Sequence, residues 1–223
     1  MANEEVILLD FWPSMYGMRV RVALAEKCVN FEYKEQNMIE KSPILLEMNP
    51  IYKKIPVLIH NGKPICESLN VVQYIDEVWK NKVIFLPSDP YEKYQAMFWA
   101  DYVEKVTKFV FDTGRKLWME KGGEKQTRKG NYIDTLRMLE GIIGDKLYFG
   151  GEKFGYLDIC LIGICSWFYT YEKFGEFSTE VETPKIIAWM KRCMKRESVY
   201  KNVVEPLKVY DFALQLRKHY GIE

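Results

Sequence analysis

The sequence predicts a small α/β domain followed by a larger all-helical one, and three observations carry that reading. From Val6 to about Trp79 the chain changes element every ten or so residues. Beyond Pro90 it runs in long helical stretches, and between them Lys80 to Pro90 is a polar connector in which Pro87-Ser88-Asp89-Pro90 opposes helix continuation. The expected domains are residues 1–80 and 91–223, joined by a linker at 81–90.

In the first domain, Val6-Ile7-Leu8-Leu9-Asp10-Phe11 reads as a buried strand, Met18 to Lys27 as a helix, and the alternating Phe31-Glu32-Tyr33-Lys34 as a second strand, which together make βαβ. A weak helix from Pro43 to Met48 follows. Val57-Leu58-Ile59-His60 and Lys63-Pro64-Ile65 then flank Asn61-Gly62, a two-residue hairpin signal, and lead into a helix from Glu67 to Trp79. The order β-α-β, short helix, β-β-α resembles a thioredoxin-like domain as glutathione-using proteins employ it. Pro56 opens its strand without a ladder donor, and an Ile55-Pro56 bond able to adopt the cis form exposes neighbouring backbone groups.

The second domain is expected to hold helices over Tyr91–Met119, Glu124–Gly144, Tyr156–Tyr171, Pro184–Lys195 and Pro206–Tyr220, with a break at Lys121-Gly122-Gly123-Glu124. Gly155 and Asp158 look like the cap of a central, apolar helix, because the Asp158 carboxylate can accept first-turn N–H groups. A catalytic role for Asp158 is the other reading.

Composition narrows the function classes. A chain of 223 residues that is 48% hydrophobic and 28% charged can bury a core and is not disordered. Its net charge of +1 gives no general pull toward nucleic acid or an anionic membrane. The acidic N-terminus and the short apolar run behind it do not fit a secretory signal, and no stretch reaches spanning length, so a cytosolic location is expected. The five cysteines are spread without a Cys-x-x-Cys pair, and His60 and His219 lie far apart. Neither a disulfide framework nor a metal site is expected.

Asp10-Phe11-Trp12-Pro13-Ser14-Met15-Tyr16-Gly17-Met18-Arg19-Val20-Arg21 joins the first strand to the first helix, at the end of an α/β sheet where ligands commonly bind. Ser14 lies at the helix N-terminus, where it can serve as a cap or help to hold an anion. This segment, with Asn37 to Asn49, Lys53-Lys54-Ile55-Pro56-Val57-Leu58, Asn61 to Leu69, Phe98-Trp99-Ala100-Asp101-Tyr102 and Trp189 to Cys193, resembles the tau-class glutathione S-transferases of plants. The resemblance covers essentially the whole chain.

It implies a soluble homodimer that joins the thiolate of glutathione, its co-substrate, to small hydrophobic electrophiles, with peroxidase activity through the same thiolate. A carrier that holds hydrophobic ligands without turnover is the alternative. Ser14 would donate to the glutathione sulfur. Lowering a thiol pKa from about 8.5 to about 6.5 takes about 2.7 kcal/mol of thiolate stabilisation, within reach of one hydroxyl and a helix N-terminus. Glu67 and Ser68 would hold the γ-glutamyl end, Lys41 and Lys54 the glycine carboxylate, and the backbone of Ile55 before Pro56 the cysteinyl unit. Arg19 and Glu104 would support γ-glutamyl ionisation, although Arg19 reads equally as a strut between domains.

By the same resemblance, Tyr16, Met38, Phe111, Arg115, Trp118, Trp167, Phe212 and Leu216 would line the electrophile site between the domains. Core packing is the competing reading for each aromatic. The chain also departs from the family pattern. Met15 stands in place of a proline after the serine, Glu104 in place of Asp, and Lys93 and Met97 in place of arginines that cross the dimer. The fourth helix is longer by about three residues around Val106-Thr107-Lys108, nearly one turn, so a rotated face or a bulge is expected there.

Overall fold

The computed structural model describes residues 4–80, 82–119 and 124–222. The helix break expected at Lys121 to Gly123 lies outside the described residues. The first elements are β1 (Val6–Asp10), α1 (Met15–Glu26), β2 (Glu32–Glu35), α2 (Pro43–Met48), β3 (Val57–His60), β4 (Lys63–Cys66) and α3 (Ser68–Val78).

Every residue of β1 is buried because both faces of the sheet are covered. Val6 and Leu8 join the large core that α1 and α3 share with the helical half; Ile7 and Leu9 join Leu45 of α2, Val57 and Ile59 in a second cluster. The strand order is β2-β1-β3-β4, with β1 parallel to β2 and antiparallel to β3, and β3 antiparallel to β4. Asn61 and Gly62 both take positive φ, 50° and 74°, as a two-residue hairpin turn requires. Helix α1 begins three residues earlier than expected, since Ser14 caps it and Met15 is already helical.

The helical half consists of α4 (Pro90–Met119), α5 (Lys125–Ile143), α6 (Tyr156–Ile162), a 3-10 segment (Gly163–Trp167), α7 (Phe168–Gly175), α8 (Thr179–Glu182), α9 (Pro184–Cys193), α10 (Glu197–Tyr200) and α11 (Pro206–His219). The single helix expected over Tyr156–Tyr171 is therefore corrected: it is interrupted for five residues. A Cβ on Gly163 would sit 2.3 Å from the Met15 carbonyl oxygen, so this glycine lets the chain run against α1, and the backbone winds more tightly just there. Helix α4 is one unbroken α-helix of 30 residues, without the bulge that its extra turn had suggested. Val106 and Thr107 point inward and Lys108 outward.

The two halves are pinned by polar contacts that sequence periodicity does not display. Gln73 donates to the Tyr156 hydroxyl at 2.8 Å, and Arg196 forks onto Glu26 at 2.9 and 2.8 Å. Lys27 and Asp76 form a buried pair at 2.6 Å, and the Asp76 carboxylate also accepts the N–H groups of Phe85 and Leu86, each at 3.0 Å. That second pair of bonds ties the connector to α3.

Candidate functional site

Strand register explains why residues far apart in sequence converge. Leu9 pairs with Val57, and Val57 pairs with Cys66, so the exit of β1, the entrance of β3 and the exit of β4 lie in one row. Asp10 pairs with Glu35 on the parallel strand β2, which therefore leaves the sheet at the same end. Four segments emerge together: the Ser14 loop, the stretch carrying Met38 and Lys41, Lys54-Ile55-Pro56, and Glu67-Ser68. The Ile55–Pro56 peptide bond is cis.

Ser14 is the N-cap of α1, with extended backbone angles, and its Oγ accepts the Gly17 N–H at 3.0 Å. A hydroxyl that accepts through a lone pair keeps its proton to donate elsewhere. The cap reading and the anion-holding reading are thus compatible in one atom. The first-turn N–H groups of Met15 and Tyr16 and the positive end of a 12-residue helix lie beside it.

Glu67 and Ser68 open α3. Glu67 is exposed and holds a φ of 67°, a sparsely populated region for a residue with a side chain. Ser68 is buried, and its hydroxyl accepts from Arg19 at 2.9 Å. Arg19 is itself fully buried and spends its guanidinium on four acceptors: Ser68, the Cys160 carbonyl at 2.6 Å, the Thr107 hydroxyl at 2.9 Å, and the Glu104 carboxylate. The longer Glu104 side chain thus reaches the network although Asp was the pattern. Thr107, within the extra turn of α4, is a member that sequence reasoning missed.

Lys41 and Lys54 are both exposed, and the carbonyl of Lys54 is fixed by Asn49 Nδ2 at 3.0 Å. Ile55 is half-buried and Pro56 buried.

The residues expected to meet the electrophile fall into two groups. Tyr16 lies under the Arg19 guanidinium, 4.9 Å from its ring centroid, and burial, reinforced by the Glu104 carboxylate, pushes its phenol up to about 12. Phe212 packs edge-on against Phe11 and Trp12, at 5.7 and 5.2 Å between centroids, which brings α11 onto the Ser14 loop. Leu216, one turn further on, and Phe111 are half-buried, while Met38 and Arg115 are exposed. Trp118 and Trp167 form the second group: they are 4% and 5% exposed and stack at 6.1 Å, more a floor than an open wall. Trp167 Nε1 donates to the Pro13 carbonyl at 2.9 Å, so this floor props the loop that carries Ser14.

Asp158 is fully buried at the start of α6, remote from solvent. Its carboxylate accepts the N–H groups of Phe149 at 2.9 Å and Gly155 at 3.0 Å and the indole N–H of Trp189 at 2.8 Å. Burial pushes its pKa up to about 6 against those three bonds. This geometry matches the capping reading.

A second set of residues behind the Ser14 loop also went unread. Asp10 is fully buried, Arg21 donates to the Trp12 carbonyl at 2.7 Å, and Glu35 accepts the Trp12 N–H at 3.3 Å. The available signal was an acid closing the otherwise apolar run Val6-Ile7-Leu8-Leu9. Two cavities, of about 420 Å³ beside Cys28 and Trp79 and about 720 Å³ between Phe85, Trp99 and Phe154, have none of Ser14, Lys54 or Ser68 in their walls. Among the described residues, no group of three or more His, Cys, Asp or Glu is placed to hold a metal ion, and no helix is long and apolar enough to cross a membrane.

Comparison with known proteins shows the family and agrees with the fold. The family profile "Glutathione S-transferase, N-terminal domain" matches residues 4–77, and "Glutathione S-transferase, C-terminal domain" matches residues 120–197. The chain is 61% identical over 224 residues to the probable glutathione S-transferase parC of Nicotiana tabacum, covering all of both proteins. It is 58% identical to glutathione S-transferase U25 of Arabidopsis thaliana, covering 99% of this chain and 98% of that protein. Among solved structures, rice GST1 in complex with glutathione superposes with a TM-score of 0.91 at 40% identity, covering 99% of each chain. A tau-class glutathione S-transferase from mango, Mangifera indica, gives 0.86 at 38% identity, covering 95% of this chain and 98% of that one. The chain belongs to the glutathione S-transferase family, in the tau class of plants.

Proposed function

We propose that the Ser14 hydroxyl donates to the sulfur of bound glutathione and holds it as a thiolate, poised for attack on a hydrophobic electrophile between the two halves of the chain. The chain is a glutathione transferase with glutathione as co-substrate. The observation that carries the Ser14 assignment is its bond from Gly17: the oxygen is fixed as an acceptor of α1, and its proton is left to donate. Thiolate charge would develop at the positive end of α1, in a preformed site that needs little reorganisation.

The remaining assignments are those the family resemblance implies, and the sheet register, which brings these segments out at one end of the sheet, supports them. The γ-glutamyl carboxylate fits Ser68 and the first turn of α3, its ammonium fits Glu67, and the glycine carboxylate fits Lys41 and Lys54. Arg19 and Glu104 act behind Ser68, by orienting it. Tyr16, Met38, Phe111, Phe212 and Leu216 offer apolar surface to the electrophile, with Arg115 at the rim and Trp118 and Trp167 beneath. Holding an oily reactant beside a thiolate turns a bimolecular encounter into an aligned one, which is a large part of the rate.

The natural division of the chain is 1–80, linker 81–90 and 91–223, in a cytosolic homodimer. Support for the dimer comes from apolar side chains left exposed on both halves: Ile51 and Tyr52 at 82% and 56%, Tyr94 and Phe98 at 75% and 62%. Sedimentation at micromolar concentration checks it, and a monomer there would refute it. The Ser14 assignment is checked with a chlorodinitroaromatic substrate: Ser14→Ala should lose conjugation while still retaining hydrophobic ligands. A wild-type chain with no detectable turnover would instead favour the carrier.

A further inference from the structure

Asp10 is the least comfortable charged group behind the site. Its side chain is fully buried beneath the first turns of α1, so close that a Cβ on Gly17 would lie 1.8 Å from its Oδ1. Neither carboxylate oxygen has a hydrogen bond of good geometry among the described residues, although the Phe11 N–H favours its charge, and the nearest cation is Arg21, whose Nε stands 3.3 Å from Oδ2. A buried carboxylate with one loose ion pair is a poor way to stabilise a fold; a neutral side chain of similar shape does better. Its partner, however, is well used. Arg21 donates to the Trp12 carbonyl, Glu35 accepts the Trp12 N–H, and the Ser14 N–H closes back onto the Phe11 carbonyl at 2.9 Å.

We propose that Asp10 is a positioning residue for the thiol chemistry: its buried carboxylate fixes Arg21, which holds the Trp12 carbonyl and with it the loop that presents Ser14. The inference rests on Ser14 being the thiolate donor. Asp10 touches neither substrate nor sulfur. It acts through Arg21, and because displacement of a reacting group by about 1 Å can cost on the order of a hundredfold in rate, a loop set loose by a lost ion pair is enough to matter.

The groups that face Asp10 define a pH dependence. They are Arg21 from α1, and Tyr33 and Glu35 from β2. Burial outweighs the Arg21 charge and pushes the Asp10 carboxyl up to about 7. Above that pH the carboxylate is charged and holds Arg21; below it the acid is neutral and the hold on the loop weakens. Stability runs the other way. With a folded value near 7 against an ordinary 3.8, the folded chain binds this proton more tightly than the unfolded one. The Asp10 contribution to stability is therefore fully present below about pH 3.8 and is lost as pH rises through about 7.

Asp10→Asn separates the two effects. At pH 8 it should raise the melting temperature and yet lower kcat by about tenfold with KM for glutathione little changed, and the pH profile of kcat should lose a limb near neutrality. A purely structural Asp10 would instead lower the melting temperature and leave the kcat of folded protein alone. Wild-type kcat and an unchanged profile in Asp10→Asn overturn the proposal. If that variant does not accumulate folded, Arg21→Gln removes the same pair from its solvent side, where Arg21 is 12% exposed, and unchanged kcat there overturns it equally. Ser14→Ala, run in parallel with the ultraviolet absorbance of bound thiolate, tells the failures apart. Loss of thiolate in Ser14→Ala with no effect of Asp10→Asn or Arg21→Gln sinks the Asp10 proposal alone, whereas no loss in Ser14→Ala sinks the reading on which it rests.

Discussion

Arg19 donates to the hydroxyl of Ser68 at 2.9 Å from a position with no solvent exposure, so the serine proposed to meet the γ-glutamyl carboxylate is itself oriented by a buried cation. The same guanidinium reaches α4 through Thr107 and Glu104 and α6 through Cys160. Strut and network member are therefore one role. Arg19→Lys keeps the charge but not the fork of five donors, and Arg19→Met removes both. Arg19→Met should cost about 3–5 kcal/mol by leaving buried acceptors unpaired, seen as a loss of melting temperature. Arg19→Lys should fold and show a raised KM for glutathione, since Ser68 is no longer held. Unchanged KM in a folded Arg19→Lys would count against the orientation argument.

For Ser14, the cap and the donor can be separated by choice of substitute. Ser14→Ala loses both, at about 1 kcal/mol of stability for the cap. Loss of a hydrogen bond to a charged sulfur, worth about 1.5–3 kcal/mol, should lower kcat/KM roughly 10- to 150-fold. Ser14→Asp still accepts the Gly17 N–H and so retains most of the stability, but an ionised carboxylate has no proton to give and repels a thiolate. Its activity should be lower than that of Ser14→Ala, with a higher melting temperature. The reverse order in either measurement defeats the assignment.

The difference between what sequence disclosed and what it hid follows the range of the interactions. Asn61-Gly62 announces a hairpin because the residues that need the special geometry are the residues that form it. Ser14 and Glu67-Ser68 stand at element ends, so their places in the fold were legible locally, whereas the roles proposed for them came from the family resemblance. The Arg19 network was legible only in part, because its partners lie 49, 85, 88 and 141 residues away and Thr107 sits in an unremarkable helical turn. Gly163 was invisible for a related reason. Its small size matters to Met15 across the domain boundary, and no periodicity in Tyr156–Tyr171 records that contact. The proposed apolar wall was the least legible, since buried Trp118 and Trp167 and half-buried Phe111 and Phe212 follow the same helical spacing.

Asp158 offers a test of folding against catalysis at a second acid. Three donors converge on its carboxylate, so Asp158→Ala orphans two backbone N–H groups and the Trp189 indole and should cost on the order of 3 kcal/mol or more. The kcat of protein that remains folded at low temperature should stay at the wild-type value. With a folded pKa raised from 3.8 to about 6, the carboxyl contributes most to stability below about pH 3.8, and that contribution falls as pH rises through about 6. Asp158→Asn should therefore flatten the stability profile between pH 4 and 6. A selective fall in kcat without loss of stability would move Asp158 into the chemistry.

Gly163 links packing to the site most directly. The Cβ of an alanine there would lie 2.3 Å from the carbonyl oxygen of Met15 and 3.0 Å from its carbonyl carbon, too close to be tolerated, so the 3-10 segment and α1 must separate. Overpacking of this kind costs about 1–3 kcal/mol. Because Met15 follows Ser14 directly, and Trp167 of the same 3-10 segment holds the Pro13 carbonyl, the displacement is passed to both sides of the serine. Gly163→Ala should consequently lower kcat more than its loss of stability predicts, whereas Gly141→Ala, where an added Cβ meets nothing within 4 Å, should leave kcat unchanged. Equal kcat in the two variants would mean that α1 absorbs the shift before it reaches Ser14.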